Sequence, residues 1–449
     1  MRDDMIHSGY IDSKKYKHFT YDFNNGILKV YLYDKMPELE GKNFIEVKAY
    51  NGKRYLLYTQ IPLDTSDFPF YPQDYNCEID WAINNYMADS IYHEMVFSFD
   101  ELQYFCSVND FVKTEDKMLL FPLETLEKYK FDMLVDDVLC SVTFRISPTA
   151  KYSSGIFIAK AITEISICFA KTDDFNFITD VYSVVDSVFS FICNRRNTCC
   201  TEVRLIGKYG NPNFRGDENY CYSKMVFFHK YREKPETVEV IQKVAGARLL
   251  LKHIDELFKV IAEGISSDGG KKGKISISSI HPSEKRKHLI DLEQSLNITS
   301  AFEFYVRKYL PKMRSEEEHH KKVKEALNKF AEENSGKAKE LAKSLIKNIL
   351  KEPSLKDKIK KVYEGYDGWK GIKSCIDMKW FYEKDVNVLA EEINIWRNEL
   401  AHEKRTYIPN ENTLTAVRFL EHLNYAIVLR NIGYDDNEIK ELLKCILTK

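Results

Sequence analysis

The chain has 449 residues, 44% of them hydrophobic and 30% charged, which is more than one ordinary core holds and leads to an expectation of two or three domains. A formal net charge of −2 argues against a strongly basic coat for non-specific nucleic-acid binding while leaving room for a local basic patch. The first residues, Met1-Arg2-Asp3-Asp4-Met5, are polar and acidic, and no apolar run approaches about eighteen residues, so neither a signal peptide nor a membrane span is expected. The ten cysteines fall mostly singly in apolar runs, as at Cys140, Cys168 and Cys445, the pattern of buried thiols in a reducing compartment. The expected location is the cytoplasm.

In chain order, the first half reads as mostly β. Residues 27–33 are rich in β-branched and aromatic side chains, and 44–50 and 53–58 flank Asn51-Gly52, a strong hairpin signal. Further strands are expected at 95–99, 138–146, 162–170, 203–206 and 225–229. Between 162–170 and 203–206, the stretch 177–192 carries Ile178, Val181, Val185, Val188, Phe189 and Ile192 at helical spacing. The dense aromatics of this half are read as sheet core in preference to a base-stacking platform. Cys193, Cys199 and Cys200 lack the second ligand pair a zinc site needs, and Asp132, Asp136 and Asp137 read as loop or strand-edge carboxylates. No phosphate-binding loop, dinucleotide fingerprint or H-E-x-x-H occurs, and no metal or cofactor is expected.

From about residue 235 the apolar period changes to that of helices. Residues 238–261 form one amphipathic run, and 264–273, rich in Gly, Ser and Lys, read as a flexible connection. Helices are then expected at 284–296, 300–309, 316–350, 354–364, 386–402, 413–431 and 436–447, with Pro353, Gly365, Gly368, Gly371 and Pro409 as punctuation. The expected fold class is α+β: a β-rich region at 1–235, a helix and connector at 236–283, and an all-α helical bundle at 284–449.

The segment that carries chemistry is Trp396-Arg397-Asn398-Glu399-Leu400-Ala401-His402. Arg–x4–His spacing alone means little, because Arg2 with His7, Arg248 with His253 and Arg314 with His319 repeat it. Context separates the four. Arg2 lies at an acidic terminus, Arg248 leads into Leu249-Leu250-Leu251, and Arg314 leads into Glu316-Glu317-Glu318, which would repel a phosphodiester. Around Arg397, residues Val386, Leu389, Ile393, Trp396 and Leu400 recur at spacings of three and four and predict one buried stripe. Asn398 and His402 fall nearly opposite that stripe, one above the other, with Arg397 at its edge.

These groups suit RNA cleavage. The 2′-OH beside each phosphate supplies the nucleophile, an imidazole can take or give the proton, a guanidinium can fork onto the phosphate oxygens, and an amide can orient either. One Arg and one His make only half of a paired acid and base, and two copies complete it. The competing reading is a capped helix end, with His402 neutralising the carbonyl-end dipole and Glu403-Lys404-Arg405 solvated beyond it.

Arg397-Asn398-Glu399-Leu400-Ala401-His402, late in a helical domain, resembles the motif of HEPN ribonucleases. With a β-rich region of some two hundred residues ahead of it, the layout is similar to the ApeA-like family. In that family Ser300-Ala301-Phe302-Glu303-Phe304-Tyr305-Val306 would match an early helix bearing an acidic residue. The resemblance implies a metal-independent endoribonuclease with Arg397, His402 and Asn398 as site residues, RNA as substrate, a homodimer or higher assembly through the HEPN domain, and 2′,3′-cyclic phosphate products. It further implies bacterial anti-phage defence by abortive infection, with a phage-derived trigger sensed at the N-terminal region. Two other readings stay open: a HEPN module that binds RNA or nucleotides without cutting, and a toxin held by a separate antitoxin.

Overall fold

The computed structural model describes residues 8–10, 18–24, 27–32, 41–49, 52–59, 76–87, 90–110, 126–153, 156–195, 198–209, 220–228, 244–266, 292–311, 318–349, 353–401 and 410–447. The chain divides into two compact units, Met1–Lys287 and His288–Lys449. The first is built on an antiparallel sheet and the second is helical, so the chain is α+β as expected.

Among the described residues the sheet has thirteen strands. They are β1 (Ser8–Tyr10), β2 (His18–Asn24), β3 (Ile27–Leu32), β4 (Phe44–Ala49), β5 (Arg54–Tyr58), β6 (Asn76–Ile79), β7 (Trp81–Asn84), β8 (Ser90–Phe97), β9 (Leu126–Val135), β10 (Val138–Ser153), β11 (Ile156–Thr172), β12 (Glu202–Tyr209) and β13 (Tyr220–Phe227). Their order is β6-β3-β2-β1-β4-β5-β7-β13-β12-β8-β11-β10-β9. The expected hairpin is formed by β4 and β5, with Gly52 at φ +84° donating to the Ala49 carbonyl at 2.9 Å; Asn51 lies outside the described residues. Asp136 and Asp137 both take positive φ, 47° and 63°, in the two-residue turn between β9 and β10, a conformation that Asp tolerates better than most residues.

A short helix, α1 (Asp100–Phe105), and the long α2 (Phe175–Cys193) follow β8 and β11. Asp174 caps α2, accepting from the Asn176 and Phe177 amides, and Asn194 ends it in the left-handed region. By length and composition α2 could cross a membrane, yet two thirds of that window is buried inside the unit. Its Tyr182 stacks on Phe227 of β13, with ring centroids 3.5 Å apart, and donates to the Cys200 carbonyl at 2.7 Å. It is the core helix of the sheet. Next comes α3 (Ile254–Ser266), inside the stretch expected as helix and connector; it packs on α2 and β9, with Phe258 against Phe131 and Phe144. Alternation along the strands sends Met95, Phe97, Ile165, Ile167, Val203 and Leu205 into the core. Glu94, Arg145, Glu164 and Arg204 alternate with them and form an ion-paired network.

The helical unit comprises α4 (Leu292–Tyr309), α5 (Glu318–Glu333), α6 (Lys337–Ile349), α7 (Leu355–Glu364), α8 (Val386–Ala401), α9 (Glu411–Asn431) and α10 (Asp436–Leu447). Helix α9 is buried along nearly its whole length, as the apolar residues on all its faces require, and packs against α4, α8 and α10. Phe302, Ile359, Leu389, Ile393, Leu423 and Ile427 fill the centre. The sequence predicts a single helix over 316–350, but the chain breaks at Ser335-Gly336 and folds α6 back on α5, with Gly336 in the left-handed region at φ +63°.

Candidate active site

Helix α8 begins where the Asp385 carboxylate accepts the Asn387 amide at 2.6 Å, a bond that holds this carboxyl below its usual range. From there Val386, Leu389, Ala390, Ile393 and Trp396 are buried, which is the expected stripe as far as Trp396. Leu400 lies in the helix, but its side chain, like all of His402, falls outside the described residues.

Arg397 lies at the stripe's edge, 43% exposed, with Nη2 3.8 Å from Glu303 Oε2 on α4. The other oxygen of Glu303 is 3.8 Å from Nζ of Lys358 on α7. One carboxylate therefore faces two cations. Neither contact is at close charge-assisted hydrogen-bond distance, about 2.7–2.9 Å. Arg397 is thus positioned without being locked, and a phosphate could take it over. Asn398 is exposed on the far side of the helix, where Val388 and Ile395 are exposed as well.

The structure brings Glu303 to Arg397, which the family resemblance alone had placed in an early helix. Sequence reasoning missed Lys358. It sits among the buried Leu355, Ile359 and Val362 of α7 and is itself only 7% exposed. A lysine inside an apolar stripe was the available signal, since a buried ammonium needs a counter-charge. Among the repeats of the Arg–x4–His spacing, Arg248 lies in the 3-10 turn Ala247–His253 and pairs with Asp110. Arg2, His7 and Arg314 lie outside the described residues. Among the described residues, no group of three or more His, Cys, Asp or Glu side chains is arranged to hold a metal ion.

Residues 296–438 match the family model described as Apea-like HEPN. The chain carries an Apea-like HEPN domain. The match spans Glu303, Lys358, Arg397 and Asn398, and His402 of the sequence motif. No curated protein and no solved structure matches the chain. HEPN domains are generally nucleases acting on RNA, they typically dimerise, and they point to a defence effector role.

Proposed function

We propose that this protein is a metal-independent endoribonuclease whose HEPN unit cuts RNA as a homodimer or larger assembly, in the cytoplasm, as an effector of anti-phage defence. The observation that carries the reading is Arg397: a half-exposed guanidinium on the motif helix, held at 3.8 Å by a carboxylate that it shares with Lys358. An exposed ion pair is worth about 0–1 kcal/mol, so a phosphodiester offering two close charge-assisted bonds outcompetes it.

In the proposed reaction a base removes the 2′-OH proton, the 2′-oxygen attacks the adjacent phosphorus, and the bond to the 5′-oxygen breaks as an acid protonates that oxygen. The product is a 2′,3′-cyclic phosphate. Arg397 stabilises the charge on the phosphate oxygens, and His402 of each subunit serves as base or acid. Asn398 orients the imidazole or the phosphate. The outward face of α8, with Val388 and Ile395 exposed beside Asn398, is an apolar surface on which a second α8 can pack, and this supports a site completed by two copies. The N-terminal unit would sense a phage-derived trigger.

Purified protein is expected to cleave RNA in EDTA and to leave 2′,3′-cyclic phosphate or 3′-phosphate ends. A strict magnesium requirement or 3′-hydroxyl ends would overturn the mechanism. Binding without cleavage under any activating condition would favour a non-catalytic HEPN module, and cleavage only after a co-purifying protein is stripped away would favour a toxin held by an antitoxin.

A further inference from the structure

The hairpin of α5 and α6 is the least covered part of the helical unit: the two helices pack on each other and make no comparable contact with any other described element. Ala331 and Ala342 are buried in their mutual seam, and Leu327 and Ile346 are half-buried beside it. The larger apolar side chains are left outside. Val323 and Phe330 on α5 and Leu341 and Leu345 on α6 are all exposed, Leu341 to 63%.

Helix geometry places these four together. On each helix the exposed pair lies roughly a quarter turn from the seam, in the same rotational sense when viewed from that helix's own N-terminus. Because α6 runs back along α5, equal rotations bring both pairs to one side of the hairpin. The result is a two-helix apolar face, with small residues at the seam forming its floor, the shape of half a helical bundle.

The rim of this face is cationic. Lys322 and Lys329 border it on α5 and Lys337 borders it on α6, all exposed, with Glu333 beside them. Glu325 and Glu332 fall on the far side of α5 by the same periodicity. Over the two helices there are eight lysines and five glutamates. A second copy docked about a two-fold axis would set this lysine rim against itself, which disfavours self-association here. RNA would match the rim, but four aliphatic and aromatic side chains at helical spacing fit the apolar stripe of a helix better than they fit a sugar-phosphate backbone.

We propose that the α5–α6 face docks an amphipathic helix of a partner protein, with an apolar stripe laid along Val323, Phe330, Leu341 and Leu345 and acidic flanks paired with Lys322, Lys329 and Lys337. The surface lies outside the Arg397 site, and the proposal does not depend on RNA cleavage.

The test uses the full chain and two labelled synthetic helices of about 18 residues, long enough for five turns. The peptides share one leucine stripe and differ only in carrying Glu or Lys on the polar flanks. Fluorescence anisotropy is expected to show the Glu peptide binding about tenfold or more tightly than the Lys peptide, a difference of about 1.4 kcal/mol. Phe330→Asp with Leu341→Asp, both at exposed positions, should abolish binding with circular dichroism and melting unchanged. Lys322→Glu with Lys329→Glu and Lys337→Glu should reverse the preference. Equal binding of the two peptides, binding of neither, or a preference that survives charge reversal would overturn the proposal. Sedimentation that shows the Phe330/Leu341 variant falling to a smaller assembly would assign the face to a second copy instead. Loss of binding to a single-stranded RNA in that variant, with no peptide effect, would assign it to RNA.

Discussion

The two units each hold a glutamate and an arginine together, and the two pairs are built differently. In the first unit Glu101 of α1 is 1% exposed and meets the Arg195 side chain, 4% exposed, just beyond the end of α2; the same carboxylate oxygen accepts the Cys199 amide at 2.8 Å. In the helical unit Glu303 is 24% exposed, Arg397 is 43% exposed, and the contact is 3.8 Å. The first pair is closed off from water. The second is open and loosely held. Burial raises the cost of breaking a charge pair and at the same time removes it from use, so the closed pair belongs to stability, and the open one is the pair that the proposed reaction would use.

The largest effect should come from breaking the closed pair. Glu101→Ala leaves the Arg195 guanidinium without its carboxylate in a buried site and is expected to destabilise the first unit by about 3–5 kcal/mol in urea unfolding. A change under about 1 kcal/mol would show that water reaches the pair and would erase the distinction.

A closed group in the helical unit should respond to pH. His422 of α9 is buried against Trp380 and Phe381, its Nδ1 is 2.8 Å from the Arg418 carbonyl, and burial pushes its pKa down to about 4 from an ordinary 6.5. The unfolded chain takes up the proton first. The stability contributed by neutral His422 is therefore complete above about pH 6.5 and is lost progressively as the pH falls to about 4, about 3 kcal/mol in all. Urea unfolding at pH 7 and at pH 4.5 measures it, and His422→Leu should flatten the difference. An equal slope in wild type and variant would place the titration elsewhere.

The open pair should show the smallest effect on stability and a modest one on binding. Glu303→Gln removes the carboxylate that competes with a phosphate for Arg397, and because it also takes a counter-charge from the buried Lys358 it is expected to cost about 1–3 kcal/mol in unfolding. Affinity for an uncleavable 2′-O-methyl RNA should rise about threefold, within what one exposed pair is worth. Weaker binding in this variant would mean that Glu303 orients Arg397 instead of competing for it.

Much of this was legible in the residues. The switch from strands to helices, the β4–β5 hairpin and the stripe of α8 followed from side-chain periodicity and turn chemistry. Strand β9 escaped because it is the last strand of the sheet order and its first half is largely exposed, so apolar alternation is faint. Strands β10 and β11 run well past their expected ends. Pro148 falls in the added stretch of β10, where β9 no longer pairs beyond Ile146 and a missing amide on that side costs no ladder bond. The break at Ser335-Gly336 was hidden in a run whose lysines and leucines keep helical period on both sides. At the site, Arg397 stood out through its neighbours, whereas the role of Lys358 depends on a contact 55 residues away that no local pattern encodes.

The most direct test is the rate at which one RNA is cleaved by wild type, Arg397→Ala and Arg248→Ala, measured side by side at equal concentration with melting curves for each. Arg248 has the same spacing to a histidine but is already paired with Asp110. The account predicts a fall of about 10²–10³ in rate for Arg397→Ala with melting unchanged, the scale of losing one group that stabilises the transition state, and a near wild-type rate for Arg248→Ala. Folded Arg397→Ala protein cutting at the wild-type rate would contradict it.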